Sequence, residues 1–96
     1  MNIEQLELTE KRIKIFKALA DETRLAILKT LYHSGNELNC TEVGFTCDTS
    51  KSNASYHFKT LREAGLIKVR KDGQARYMSI YKETFNQILP GFLDTL

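Results

Sequence analysis

The stretch Ser50–Arg76, SKSNASYHFKTLREAGLIKVRKDGQAR, places two hydrophobic periods back to back. Ala54, Phe58 and Leu61 recur at i, i+4, i+7, which puts them on one face of a helix. Ser52, Ser55, Tyr56 and Lys59 recur at i, i+3, i+4, i+7 on another face. Ser50 suits the N-cap, and Gly65 suits the left-handed position after Ala64. The period then changes. Leu66–Arg70 and Arg76–Ile80 read as two strands, with Ile67 and Val69 on one face of the first. Asp72-Gly73 between them is a hairpin-turn signal, because a type I′ turn needs positive φ at both central residues. A helix with a hydrogen-bonding face, followed at once by a basic hairpin, supplies the parts that a DNA duplex requires. The helix enters the major groove and the arm holds phosphates.

The rest of the chain supplies the support for this segment. Ile3, Leu6 and Leu8 form a weak first turn, and Thr9 caps a second helical piece. In that piece Ile13, Phe16 and Ala20 share a face, with Ile15 and Leu19 beside them. Asp21 caps the next helix, which buries Leu25, Ile27, Leu28 and Leu31 and stops at Ser34-Gly35. A shorter helix runs from about Thr41 to Cys47, with Gly44 small where two helices cross and Asp48 in the turn that follows. A last helix carries Phe85, Ile88, Leu89, Phe92, Leu93 and Leu96, with a kink or break at Pro90-Gly91. The order is helix, helix, helix, helix, hairpin, helix. The expected fold is mostly α with a small β-hairpin wing, a winged helix-turn-helix in one domain spanning residues 1–96.

Charge is distributed to match. Lys51–Lys82 holds eight Lys/Arg against Glu63 and Asp72, a local balance of +6, while the remainder balances at −4. A basic module on an acidic scaffold implies an anionic partner for the module. Asn53, Ser52, Ser55 and Tyr56 are the candidates for base edges, since Asn pairs bidentately with adenine and Ser serves several edges. Lys51, Lys59 and Arg62, with Arg70, Lys71 and Arg76 in the wing and Gln74 beside them, are the candidates for phosphates. The bland readings are a helix-capping Ser52, an Arg62 paired with an acid, and a His57 wedged beside Phe58.

Two stretches, FKALADETRLAILKTL (Phe16–Leu31) and SKSNASYHFKTLREAGLI (Ser50–Ile67), resemble the ArsR-type winged-helix repressors of bacteria. ELNCTEVGFTCDT between them fits that family's spacing without a gap, so the resemblance covers nearly the whole chain. It implies a homodimer that sits on operator DNA and leaves it when an effector binds, with the first and last helices in the interface. The expected interface residues are Ile3, Leu6, Ile13, Phe85, Ile88, Leu89, Phe92 and Leu93. The apolar stripe of the last helix needs cover, and the competing reading is packing on the chain's own core.

The chain departs from the metal sites that the resemblance implies. Where the family pattern resembles ELCVCDL, Asn39 and Thr41 hold the cysteine positions, with Cys40 between them. At the last-helix site Lys82, Thr84 and Thr95 replace Asp and His. No metal site and no cofactor are therefore expected. Two cysteines are too few for a disulfide scaffold. Helical Cys40 and Cys47 would have Cα atoms about 10 Å apart, beyond the roughly 7 Å a disulfide spans; both read as small buried residues. The effector stays open among a small organic ligand at the dimer interface, a protein partner, or none. No nucleophile–base pair or phosphate loop points to an enzyme. The start lacks a signal-peptide core and no run is long enough to span a membrane, so a cytoplasmic location is expected. The reading is a sequence-specific repressor on an inverted-repeat operator. Its alternative is a winged-helix protein-interaction module.

Overall fold

The computed structural model describes residues 2–47 and 51–96, and the side chains of residues 45–52 fall outside what is described. The expected cap at Ser50, the turn residue Asp48, and the side chains of Cys47, Lys51 and Ser52 all lie there. The described residues form five helices, α1 (Ile3–Leu19), α2 (Glu22–Ser34), α3 (Cys40–Cys47), α4 (Lys51–Glu63) and α5 (Lys82–Ile88), and three strands, β1 (Leu38–Asn39), β2 (Ile67–Asp72) and β3 (Ala75–Ile80). The strands form one antiparallel sheet in the order β1-β3-β2. The architecture is the expected one, a mostly helical winged helix-turn-helix.

Helix ends explain most of the boundaries. Asn2 Oδ1 accepts the Gln5 N–H at 2.8 Å and Gln5 Oε1 accepts the Asn2 N–H at 3.1 Å. This capping box starts α1 seven residues before the expected cap, Thr9. The beginning is thus one continuous helix and not two pieces, and the Thr9 hydroxyl donates to the Gln5 carbonyl one turn back. Asp21 caps α2 as expected, its Oδ2 accepting the Arg24 N–H at 2.9 Å. That bond, aided by the charge of Arg24, holds the Asp21 carboxyl below its ordinary range against the opposing effect of burial.

A second capping box, not expected from the sequence, begins α3. Asn39 Oδ1 accepts the Glu42 N–H at 2.8 Å and Glu42 Oε1 accepts the Asn39 N–H at 3.2 Å. Leu38 and Asn39 also pair with Met78 and Tyr77, adding a third strand to the hairpin. Gly44 is not at a close crossing, since an added Cβ meets no described atom within 4 Å. At the end of α4, Leu66 N–H donates to Leu61 and Gly65 N–H to Arg62, the two bonds of a Schellman motif. Gly65 takes φ +76° there.

The wing is longer than expected at its tip. Asp72 pairs with Ala75, so the two-residue loop is Gly73-Gln74 and not Asp72-Gly73. Gly73 supplies the positive φ of +62°.

One core joins the elements. Ile15, Ile27, Leu28, Leu61, Leu66 and Met78 are fully buried within it. Leu25 packs at its edge. From α1 the core takes Ile15, Ala18 and Leu19, whereas Ile13 and Phe16 are about half exposed. The last segment breaks at Pro90-Gly91 as expected, with α5 before it and a short 3₁₀ turn, Leu93–Thr95, after it. Its apolar stripe folds largely onto the chain's own core. Phe85 is 1% exposed and Leu93 9% exposed, with Phe92 stacked on Phe85 at 5.9 Å between ring centroids. This corrects the interface expectation for Phe85 and Leu93, because a side chain already buried in one copy has no surface to offer a second. Ile88, Leu89 and Phe92 are half-buried at the core's edge.

Three stability outcomes follow. Asn39→Ala should lower unfolding free energy by about 1 kcal/mol, read from the urea midpoint. Phe85→Ala should cost about 3–5 kcal/mol as a core deletion. Asp21 adds stability above its unfolded-state pKa of about 3.9 and loses it as pH falls through its lower folded value. The stability advantage of the wild type over Asp21→Asn should therefore be level above about pH 5 and shrink below about pH 4, measured by urea unfolding across pH.

Candidate nucleic-acid interface

The candidate reading face is set by the two sides of α4. Ala54, Phe58, Leu61 and Ala64 are buried, so the opposite side must face outward. There Asn53 and Ser55 are exposed, and Tyr56 is 64% exposed, a large aromatic held in water. Lys59 and Arg62 continue the exposed side one and two turns on. Lys59 reaches Glu63 only at 4.0 Å, with both side chains largely solvated, a pairing of little energetic consequence. Arg62 has no ion pair among the described residues, so the acid-paired alternative finds no partner there.

The structure brings α4 and the wing together around a cleft of about 220 Å³. Ser55, Lys59 and Arg62 line one side and Arg76 of β3 the other, over a floor of Phe58, Val69 and Met78. The Cys40 thiol lines it too and donates weakly to the Arg76 carbonyl at 3.9 Å. Cys40 is thus half-buried against the wing. Three cations from two elements meet at one cleft and offer a seat to an anionic strand.

The wing cations divide into two kinds. Lys71 and Arg76 are exposed, and neither has an ion pair among the described residues. Arg70 is held within the chain. Its Nε donates to both Glu37 oxygens at 3.1 Å, Nη2 lies 3.1 Å from Oε1, and the guanidinium stacks over Tyr77 at 4.8 Å. Hydrogen bonding to Glu37 raises its pKa further, so the charge is fixed but already neutralised locally. Sequence spacing could not reveal this, because Glu37 and Arg70 meet only through the sheet.

His57 is the wedged histidine of the bland reading, with its side chain 14% exposed and Nδ1 3.1 Å from Arg24 Nη1. Arg24 itself was not among the sequence candidates. No local signal marked it, because Arg24 follows Asp21, Glu22 and Thr23 in the polar first turn of α2.

On α1, Ile3 is 75% exposed, Leu6 49%, Ile13 48% and Phe16 50%. Phe16 was missing from the expected interface, although it lies one turn from Ile13.

The positions that hold metal ligands in the resembled family have other work here. Asn39 caps α3, Thr84 is buried, and the Thr95 hydroxyl donates to the Phe92 carbonyl at 2.6 Å. Among the described residues, no three His, Cys, Asp or Glu side chains are grouped as metal ligands would be. No described helix is long and apolar enough to cross a membrane.

The chain is similar to known proteins along most of its length. Residues 19–70 match the profile of a helix-turn-helix domain. The uncharacterized HTH-type transcriptional regulator YceK of Bacillus subtilis is 61% identical over 85 residues, 88% of this chain and 85% of that protein. The arsenical resistance operon repressor of the same organism is 36% identical over 85 residues, 86% of this chain and 78% of that protein. The solution structure of Mb0332 from Mycobacterium bovis, a homodimeric winged helix-turn-helix DNA-binding domain of a possible ArsR-family regulator, superposes with a TM-score of 0.83. It covers 99% of this chain and 85% of that one, and at 23% identity it attests the fold alone. With a helix-turn-helix profile over more than half its length, and relatives at 61% and 36% identity along most of theirs, the chain belongs to the ArsR-type family of winged helix-turn-helix transcriptional regulators.

Proposed function

We propose that this regulator is a homodimeric repressor that occupies an inverted-repeat operator in the cytoplasm. The observation that carries the reading is the exposed Asn53–Ser55–Tyr56 face of α4 beside the cationic cleft shared with the wing. Asn53, Ser55 and Tyr56, with Ser52 next to them, take base edges in the major groove. Lys59, Arg62, Lys71 and Arg76, joined by Lys51, take phosphates and set the register of the helix on the duplex. Arg70 fills a different place in this scheme: it fastens the wing to the loop before β1 through Glu37.

Dimerisation places two reading helices on one face of DNA, with half-site centres about 10 bp apart or a multiple of it. The exposed Ile3, Leu6, Ile13 and Phe16 on α1, with Ile88, Leu89 and Phe92 at the edge of the core, form the surface for the second copy. Repression by occupying promoter DNA needs no further domain. The similarity to an arsenical resistance operon repressor supports that sign of regulation.

Fluorescence-anisotropy titration tests this, using the DNA upstream of the protein's own gene and a scrambled duplex at two salt concentrations. Tight, salt-sensitive binding with preference for the native DNA is expected. Asn53→Ala and Tyr56→Ala should shrink that preference, by about 1–3 kcal/mol for a lost bidentate contact. Lys59→Ala and Arg76→Ala should weaken both duplexes alike and lower the salt slope by about one unit each, whereas Arg70→Ala should leave the slope unchanged. Equal loss on both duplexes in Asn53→Ala would refute its base-reading role. No binding to either duplex at low salt would favour a protein-interaction module.

A further inference from the structure

From its place on α2, the Arg24 side chain bonds to both α1 and α4. Its Nε donates to the Ala18 carbonyl at 2.6 Å and Nη2 to the Lys17 carbonyl at 3.3 Å. Those carbonyls belong to the last turn of α1, where no helical N–H remains to satisfy them. The other nitrogen, Nη1, donates to His57 Nδ1 at 3.1 Å, in the middle of α4. A guanidinium is a donor only, so Nδ1 is the acceptor and the ring carries its proton on Nε2. Asp21 completes the cluster, accepting the Arg24 N–H at 2.9 Å and lying 3.7 Å from His57 Nδ1. On α4 itself, the His57 ring packs edge-on against Tyr56, with centroids 5.5 Å apart.

We propose that Arg24 is a positioning residue for DNA reading, tying the helix that carries the partner-facing stripe to the helix that enters the groove. This rests on the reading above, in which α1 lies in the dimer interface and α4 reads bases. In such a dimer the distance and angle between the two reading helices pass through α1, Arg24 and His57 in each copy. The planar guanidinium suits the task because its donors point in fixed directions and satisfy α1 and α4 at once. A lysine keeps the charge and loses that fork. The consequence is specific. Arg24 matters for engaging two half-sites together, and it matters little for engaging one.

The test uses the inverted repeat that the wild-type protein enriches from a randomised duplex pool, and the same duplex with one arm scrambled. Arg24→Lys and His57→Leu should bind the full repeat about tenfold more weakly and bind the one-armed duplex within about twofold of wild type. Inserting a base pair between the arms should penalise the wild type more than either variant. His57→Asn, whose Oδ1 takes the place of the accepting Nδ1, should restore binding to the full repeat. Sedimentation equilibrium should show the same dimer throughout.

Equal loss on both probes would overturn the proposal, because Arg24 would then act on α4 itself. Wild-type affinity of His57→Leu for the full repeat would overturn it too. If Arg24→Lys shows a collapsed urea midpoint, the His57→Leu and His57→Asn pair decides, since both leave the bonds from Arg24 to α1 in place. A wild-type protein that enriches no inverted repeat removes the underlying reading instead, and the proposal falls with it.

Discussion

Burial of Ile27, Leu28 and Leu31 on one side of α2 is the contact on which the other elements depend. α1, α3, α4 and β3 all pack on this helix. Each such side chain gains about 1.5–3 kcal/mol on leaving water, and a chain of 96 residues has only one small core to share among its elements. Because α2 lies inside, α4 must turn Ala54, Phe58 and Leu61 toward it and the sheet, and its remaining residues are left outside. The polar face of α4 is exposed because of what its other face buries.

A small core leaves little margin, and the chain offsets this at its helix ends. Asn2, Asp21 and Asn39 each accept a backbone N–H that would otherwise go unpaired, and Gly65 closes α4 with the Schellman pair. Arg24 does the same for the carbonyl end of α1. Asn39 shows how such local work displaces other chemistry. It stands where the resembled metal-binding pattern has a cysteine, and its side chain is occupied by the first turn of α3.

Charge in the wing has two uses that composition cannot separate. A count of Lys and Arg treats Arg70, Lys71 and Arg76 alike. In the fold Arg70 faces Glu37 and lies on Tyr77, while Arg76 joins Lys59 and Arg62 at the cleft. The first arrangement stiffens the hairpin against the body of the molecule; the second leaves cations to meet an anionic strand. Even within a basic module, only part of the charge is available to a partner.

The sequence by itself determined α2 to α5, the hairpin and the face of α4, because these follow from residues three, four or two apart; it missed the Asn2 cap that makes α1 one helix and the pairing of β1 with β3. It also marked Asp21, Gly65 and the Pro90-Gly91 break. Tertiary structure alone decided which apolar residues were already used: Phe85 and Leu93 went to the core, while Ile13 and Phe16, equally apolar in sequence, stayed outside. It alone paired Glu37 with Arg70 and Arg24 with His57, each pair 33 residues apart. The physical reason is common to all of these. Periodicity fixes the direction of a side chain relative to its own helix or strand. What that side chain meets depends on how the elements pack, and no local pattern encodes it.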